Sequence, residues 1–176
     1  RVPQGLTRIN NSIFNVEHGP KGGDELNLVV KNGNYGWPLS SYGTNYLEEN
    51  GGDGKSINSS HELNNFNEPL LALVPSIGIS SLNNCPNVLK NYYKKKCLVA
   101  LSLYGNNLRK GHSLIVFLLN DMMTKVDSFE IIKLGNLVLR HFATNNLNEL
   151  YEDENGDIYV SADKKGIYKI SFLNFR

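Results

Sequence analysis

Short apolar and aromatic runs recur along the chain, separated by segments rich in Asn, Gly and Asp. They cover residues 12–16, 25–30, 97–103, 113–119, 157–161 and 166–172. Their brevity, their β-branched and aromatic content and their bounding turn residues predict strands rather than helices. The C-terminal pair is the clearest. Asn155-Gly156 precedes Asp157-Ile158-Tyr159-Val160-Ser161, and Asp163-Lys164-Lys165-Gly166 leads into Ile167-Tyr168-Lys169-Ile170, a hairpin with turn residues on both flanks.

Superposing segments reveals a weak internal repeat. Ile13-Phe14-Asn15-Val16-Glu17 resembles Leu98-Val99-Ala100-Leu101-Ser102 and Ile158-Tyr159-Val160-Ser161-Ala162, with starts 85 and 60 residues apart (98 − 13 and 158 − 98). A minimal propeller blade takes about 40 to 50 residues, so each unit is decorated, the first by the Gly- and Asn-rich stretch 32–67. The expected fold class is all-β: one partial β-propeller domain over residues 1–176 with three four-stranded blades. Propellers close with about 4 to 8 blades, so three leave open edges that further blades must cover. Sandwiches and barrels built from short strands fit the same pattern.

Composition sharpens this picture. Twenty-five Asn against 4 Ala disfavour helix, and 40% apolar with 20% charged residues excludes a disordered or collagen-like chain. The formal charge of +1, without a dense basic stretch, argues against nucleic acid as a partner. The apolar run at 114–119 is far below the roughly 20 residues a membrane-spanning helix needs. The first residue is Arg1 rather than Met, so the lack of a leader carries no information. Cys85 and Cys97 flank the Lys-rich stretch 90–96, where a disulfide and two buried thiols fit equally well, and no Cys/His spacing suits zinc.

The segment densest in chemistry is Glu17-His18-Gly19-Pro20-Lys21-Gly22-Gly23-Asp24-Glu25. A glycine-rich loop can turn several carbonyls toward one point while Asp24 or Glu25 supplies charge, which suits the oxygen-rich shell of calcium. On spacing alone, Gly22-Gly23-Asp24 reads first as a plain turn. As neighbours on a strand, Asp24 and Glu25 face opposite sides, so two separate roles are as consistent as one shared ion. His18 has the chemistry of a base, a ligand or a hydrogen-bonded structural residue. His61, His112 and His141 lack partners at diagnostic spacing. Gly54-Lys55-Ser56 is no phosphate loop, because Glu49 stands where the first glycine belongs. Asp153-Glu154-Asn155-Gly156-Asp157 is a hairpin turn rather than a calcium-binding EF-hand loop, with Ile158 at the glycine position and Lys164 at the closing glutamate.

Arg1-Val2-Pro3-Gln4-Gly5-Leu6, then residues 17–28 (EHGPKGGDELNL), then Asn34-Tyr35-Gly36-Trp37-Pro38 resemble, in order, conserved blocks of the soluble PQQ-dependent glucose and aldose sugar dehydrogenases, the glucose/sorbosone dehydrogenase family. Residues 74–80 resemble the segment that follows. The resemblance is strong over about residues 1–43 and weaker through 74–103. It implies a six-bladed propeller, of which this chain matches the C-terminal half, with PQQ and calcium as cofactors and a sugar as substrate. The electron acceptor is left open, placement is periplasmic or extracellular, and the general base lies outside this chain.

The same resemblance implies roles residue by residue. The Gly19 and Pro20 carbonyls match ligands of the cofactor calcium. Glu25 and the Tyr35 carbonyl match a separate structural calcium site, with Asp24 a weaker candidate. Arg1 and His18 match positions near the quinone, and Gly19 touches both groups. Three expected polar contacts are replaced: Val2 stands for an Asn, Tyr104 for a Lys with Arg109 and Lys110 nearby, and Asn146 and Asn148 for an R-x-R. Asn donates hydrogen bonds but cannot neutralise carboxylates. A noncatalytic calcium-stabilised propeller that binds a glycan or a protein is therefore the competing expectation.

Overall fold

The computed structural model describes residues 1–47, 49, 52–57, 61–103, 112–146, 149–164 and 166–175. The first sheet orders β1 (Val2–Ile9), β2 (Ser12–His18), β3 (Asp24–Val29) and β4 (Leu71–Leu73) consecutively and antiparallel. The second repeats the meander with β5 (Ile79–Asn84), β6 (Cys97–Ser102), β7 (Ser113–Leu119) and β8 (Val126–Lys133). Between β5 and β6 runs the helix α1 (Asn87–Tyr93). After it come β9 (Leu139–Phe142), the small ribbon β10 (Thr144–Asn146) and β11 (Glu149–Leu150), and the hairpin β12 (Ile158–Ala162) and β13 (Gly166–Ile170). The third sheet pairs in the order β13-β12-β9, so it has three described strands rather than the expected four.

The sheets stack face to face. Phe14, Val16 and Leu26 pack with Ile79, Leu98 and Phe117 between the first and second sheets. Val99, Leu101, Leu114 and Val116 pack with Leu139, Ile158 and Val160 between the second and third. Every residue of β6 and β7 is buried, because the middle sheet is covered on both faces. That double burial is why these strands read as unbroken apolar runs. The leading strands touch, β1 against β5 and β5 against β9. A side chain at Gly5 has no room there, since a Cβ would lie 2.4 Å from the Leu82 nitrogen. Sheets converging on their first strands make three blades of a propeller whose ring is not closed. The far face of the first sheet exposes Leu6, Ile13 and Val29.

One feature departs from the sequence expectation, and another settles an alternative that the sequence left open. α1 carries no amphipathic repeat long enough to see; it is held by the fully buried Leu89 and by Tyr92 and Tyr93 packing on Phe175. Cys85 and Cys97 are joined as a disulfide that staples the ends of β5 and β6 beneath it. The turn before β12 is built by Asp153, whose carboxylate accepts the backbone N–H groups of Asn155 and Asp157 at 2.9 and 3.0 Å, as a hairpin turn requires.

Candidate cofactor cleft and buried carboxylate pair

β2 ends at His18 and β3 begins at Asp24, and the five residues between them form a tight, glycine-built turn. Gly22 and Gly23 take φ of 91° and 67°, conformations that L side chains rarely adopt. A Cβ on Gly19 would fall 1.8 Å from the Gly22 carbonyl oxygen, and one on Gly23 would fall 2.5 Å from the Gly43 nitrogen. The spacing that suggested a carbonyl-presenting loop therefore corresponds to close backbone packing.

Asp24 organises this turn. Its side chain is fully buried. Oδ1 accepts the Gly19 N–H at 3.2 Å, and Oδ2 accepts those of Ile77 and Ile79, each at 3.1 Å. Both oxygens are thus committed to backbone donors that tie the turn to the start of the second sheet. Glu25, on the opposite face, stands directly across from Glu17 in the β2–β3 register.

Two hollows meet at the strand end. A cleft of about 580 Å3 is lined by Arg1, His18, Gly19, Pro20, Lys21 and Asp24, with Val74, Pro75 and Leu103 as apolar wall. That volume lies in the range of small-molecule sites, about 300–1,000 Å3. Beside it, a cavity of about 20 Å3 is bounded by Glu17, Glu25, Tyr35 and Trp37, and Arg1, His18 and Gly19 line both spaces. The Arg1 guanidinium donates to the Gly19 carbonyl at 2.6 Å and to the Tyr46 hydroxyl at 3.2 Å, and lies 5.0 Å from the centre of the Trp37 ring.

Burial, together with the nearby Glu17 charge and against a hydrogen bond from Asn27, pushes the Glu25 carboxyl up to about 7. The loop above is clasped from below and behind. The Tyr35 hydroxyl donates to the Leu28 carbonyl at 2.6 Å. Ser40 Oγ meets His61 Nδ1 at 2.9 Å, and Tyr42 stacks on the His61 ring while donating to Glu68 at 2.5 Å. The Glu68 bond and burial raise the Tyr42 phenol to about 12.

Of the residues singled out from sequence, Arg1, His18, Gly19, Pro20 and Asp24 share the cleft, and Glu25 and Tyr35 share the small cavity with three of them. Asn146 is elsewhere, exposed on β10 and donating to Glu149 at 3.0 Å. Tyr104, Asn148, Arg109 and Lys110 lie outside the described residues. His112 is held by the Leu137 carbonyl at 2.7 Å and His141 sits exposed on β9. Sequence reasoning missed Glu17, Asn27 and the Ser40–His61 clasp. Glu17 alone left a signal, since a hairpin pairing of residues 17 and 25 puts both side chains on one face.

A sequence profile of the Glucose / Sorbosone dehydrogenase family matches residues 1–166. Aldose sugar dehydrogenase YliI of Escherichia coli K12 is 50% identical over 48 residues, 26% of this chain and 13% of that protein. Quinoprotein glucose dehydrogenase B of Acinetobacter calcoaceticus is 54% identical over 39 residues, 22% of this chain and 8% of that one. A solved glucose dehydrogenase superposes on 96% of this chain with a TM-score of 0.67 at 26% identity. A PQQ-bound aldose sugar dehydrogenase of Streptomyces coelicolor, 18% identical, matches in fold with a TM-score of 0.59 over 96% of this chain and 42% of its own. The chain spans 44% of the glucose dehydrogenase structure. The family profile covers nearly the whole chain, and this chain belongs to the glucose/sorbosone dehydrogenase family.

Proposed function

We propose that this chain contributes the cofactor-bearing half of a PQQ- and calcium-dependent aldose sugar dehydrogenase that oxidises a sugar's anomeric hydroxyl in the periplasm or outside the cell. The observation that carries the reading is the convergence of Arg1, His18, Gly19 and Pro20 on one cleft beside an ion-sized cavity. Further blades complete the ring, the sugar pocket and the proton-accepting group, and the electron acceptor docks on the finished protein.

The residues present fit the groups. The buried Glu25 carboxylate, without an ion-pair partner among the described residues, suits a cation, and His18 Nε2 beside it is a buried polar atom without a partner. The Gly19 and Pro20 carbonyls would hold the cofactor calcium, and Glu25 with the Tyr35 carbonyl a structural one. When bound, the quinone would supply hydride-accepting chemistry and the metal a Lewis acid. Arg1 would do the electrostatic work of this half: its fixed charge, oriented by Tyr46 and Trp37, would meet a carboxylate of the cofactor. Asp24 acts at one remove, holding the Gly19 turn and the Ile77–Ile79 backbone in register. Val74, Pro75 and Leu103 give the cleft an apolar wall. His18, Tyr104 and Asn148 complete the set of cofactor-contact candidates.

Asn146, turned to Glu149, and Val2, lacking an amide, favour the second reading, a calcium-stabilised propeller that binds a glycan or protein without turnover. Titrating the full-length protein with PQQ in calcium, followed by sugar-dependent dye reduction, separates the two. Micromolar quinone binding, reduction by an aldose and loss of both in Arg1→Ala support the enzyme. Calcium-dependent stabilisation with no quinone binding supports the second reading.

A further inference from the structure

Glu17 and Glu25 face each other across β2 and β3 with only 8% and 7% of their surfaces exposed. The amide of Asn27, fully buried, is drawn between them: its Nδ2 donates to Glu17 Oε1 at 3.0 Å and to Glu25 Oε2 at 3.3 Å. One neutral amide shared by two carboxylates cancels neither charge, and a like-charged buried pair is costly without a cation. Glu25 has no ion-pair partner among the described residues. Two further groups point to a missing ligand. Asn27 Oδ1, on the amide that the pair shares, is buried without a hydrogen-bond partner, and so is His18 Nε2, whose residue lines the same cavity as Glu17, Glu25 and Tyr35. The cavity, about 20 Å3, holds one water-sized or ion-sized particle.

We infer that Glu17 is a direct ligand, together with Glu25, of a hard divalent cation of the calcium type in this cavity, so that the ion ties β2 to β3. The inference rests on the reading of a cation at Glu25 and adds a second carboxylate to it. Calcium gathers about 6 to 8 oxygen ligands and tolerates irregular geometry. Two carboxylates cancel its charge, and their mutual repulsion becomes attraction through the ion. Asp24, with its oxygens on three backbone amides, stays outside this shell. Arg1, His18 and Gly19 line both the cavity and the cleft, so an ion held by Glu17 would also steady the strand end that presents Gly19.

The test uses the full-length protein with terbium as probe, its emission sensitised by Tyr35 and Trp37 in the cavity wall and displaced by calcium. Thermal unfolding is followed in parallel in calcium and in chelator. Glu17→Gln and Glu25→Gln are each expected to weaken calcium by about ten-fold or more. In chelator Glu17→Gln should melt at or above the wild-type temperature, because one of two facing charges is gone. Wild-type calcium affinity in Glu17→Gln with loss in Glu25→Gln overturns the role of Glu17 and leaves the Glu25 site standing. Equal destabilisation of Glu17→Gln in both buffers also overturns it, reducing Glu17 to a hydrogen-bonding spacer. A wild-type protein that neither sensitises terbium nor gains stability from calcium overturns both.

Discussion

The carboxylate of Asp24 accepts the backbone N–H of Ile77 at 3.1 Å, and this bond joins the opening residue of one blade's third strand to the approach of the next blade. The same side chain also takes the N–H groups of Ile79 and Gly19. Asp24→Ala leaves three backbone donors unpaired, two of them buried. At about 1–3 kcal/mol per stranded group, and allowing for partial relaxation, a loss of about 3 kcal/mol or more is expected in urea unfolding. Asp24→Asn should fall between, because one oxygen remains to accept. A change below about 0.5 kcal/mol, the range of ordinary surface substitutions, would show that water replaces the carboxylate and that it does not organise the turn.

Gly5 marks the closest approach of the leading strands. A methyl group there would meet the Leu82 nitrogen at 2.4 Å and the Leu82 Cβ at 2.8 Å, so β1 and β5 must separate or the methyl must clash. Overpacking of this kind typically costs about 1–3 kcal/mol, and backbone atoms on both sides leave little to yield. Gly5→Ala is therefore expected at or above the upper end. Gly156→Ala is the contrast, since nothing lies within 4 Å of a Cβ there; its cost is confined to the positive φ of 72°. Chemical denaturation of both variants checks the order.

What the sequence disclosed follows from where burial is two-sided and local. β6 and β7 are readable because every residue in them is apolar or small and buried, and β12 and β13 because turn residues bracket them. The opposite facing of Asp24 and Glu25 follows from strand alternation alone. β1 is hidden by Pro3 and Gly5, which suppress a strand signal yet sit at a register shift and at the contact with Leu82. α1 is hidden because its stability comes from Leu89, from Phe175 and from the Cys85–Cys97 bridge, all outside its own pattern. Glu17 becomes visible as part of a site only once the register sets it beside Glu25. His61 becomes visible only once residues 40 and 42 fold back on it.

The Cys85–Cys97 bridge closes a short loop around α1, with separation 12. In the chain-entropy account such a cross-link stabilises by about 3 kcal/mol through the unfolded state. The Cys85→Ser/Cys97→Ser double variant should lose about that much in urea unfolding, and reductant should lower the wild type toward the variant without lowering the variant further. Two effects localise the loss: reduced protection of the α1 amides from hydrogen exchange, and unchanged protection in β2 and β3. A double variant as stable as the wild type would assign the ordering of α1 to Leu89 and the aromatic contacts alone.

Glu25 gives the protein a pH dependence of unusual sign. Its ordinary value is 4.5 and the folded value about 7, raised first by burial and further by Glu17 and Glu68, against the Asn27 hydrogen bond. Between those values the folded state holds a proton that the unfolded state has released. The contribution to stability is therefore greatest below pH 4.5 and is lost as pH rises toward 7. In chelator, the urea midpoint of the full-length protein should fall across this window, by an amount of order 3 kcal/mol at most at about 1.4 kcal/mol per pH unit. Glu25→Gln should flatten the fall, because the amide mimics the protonated acid at every pH. Saturating calcium should reverse it, since the ion binds the ionised pair and its stabilisation grows with occupancy. A midpoint that rises from pH 4.5 to 7 in chelator, equally in wild type and Glu25→Gln, would remove Glu25 as the titrating group.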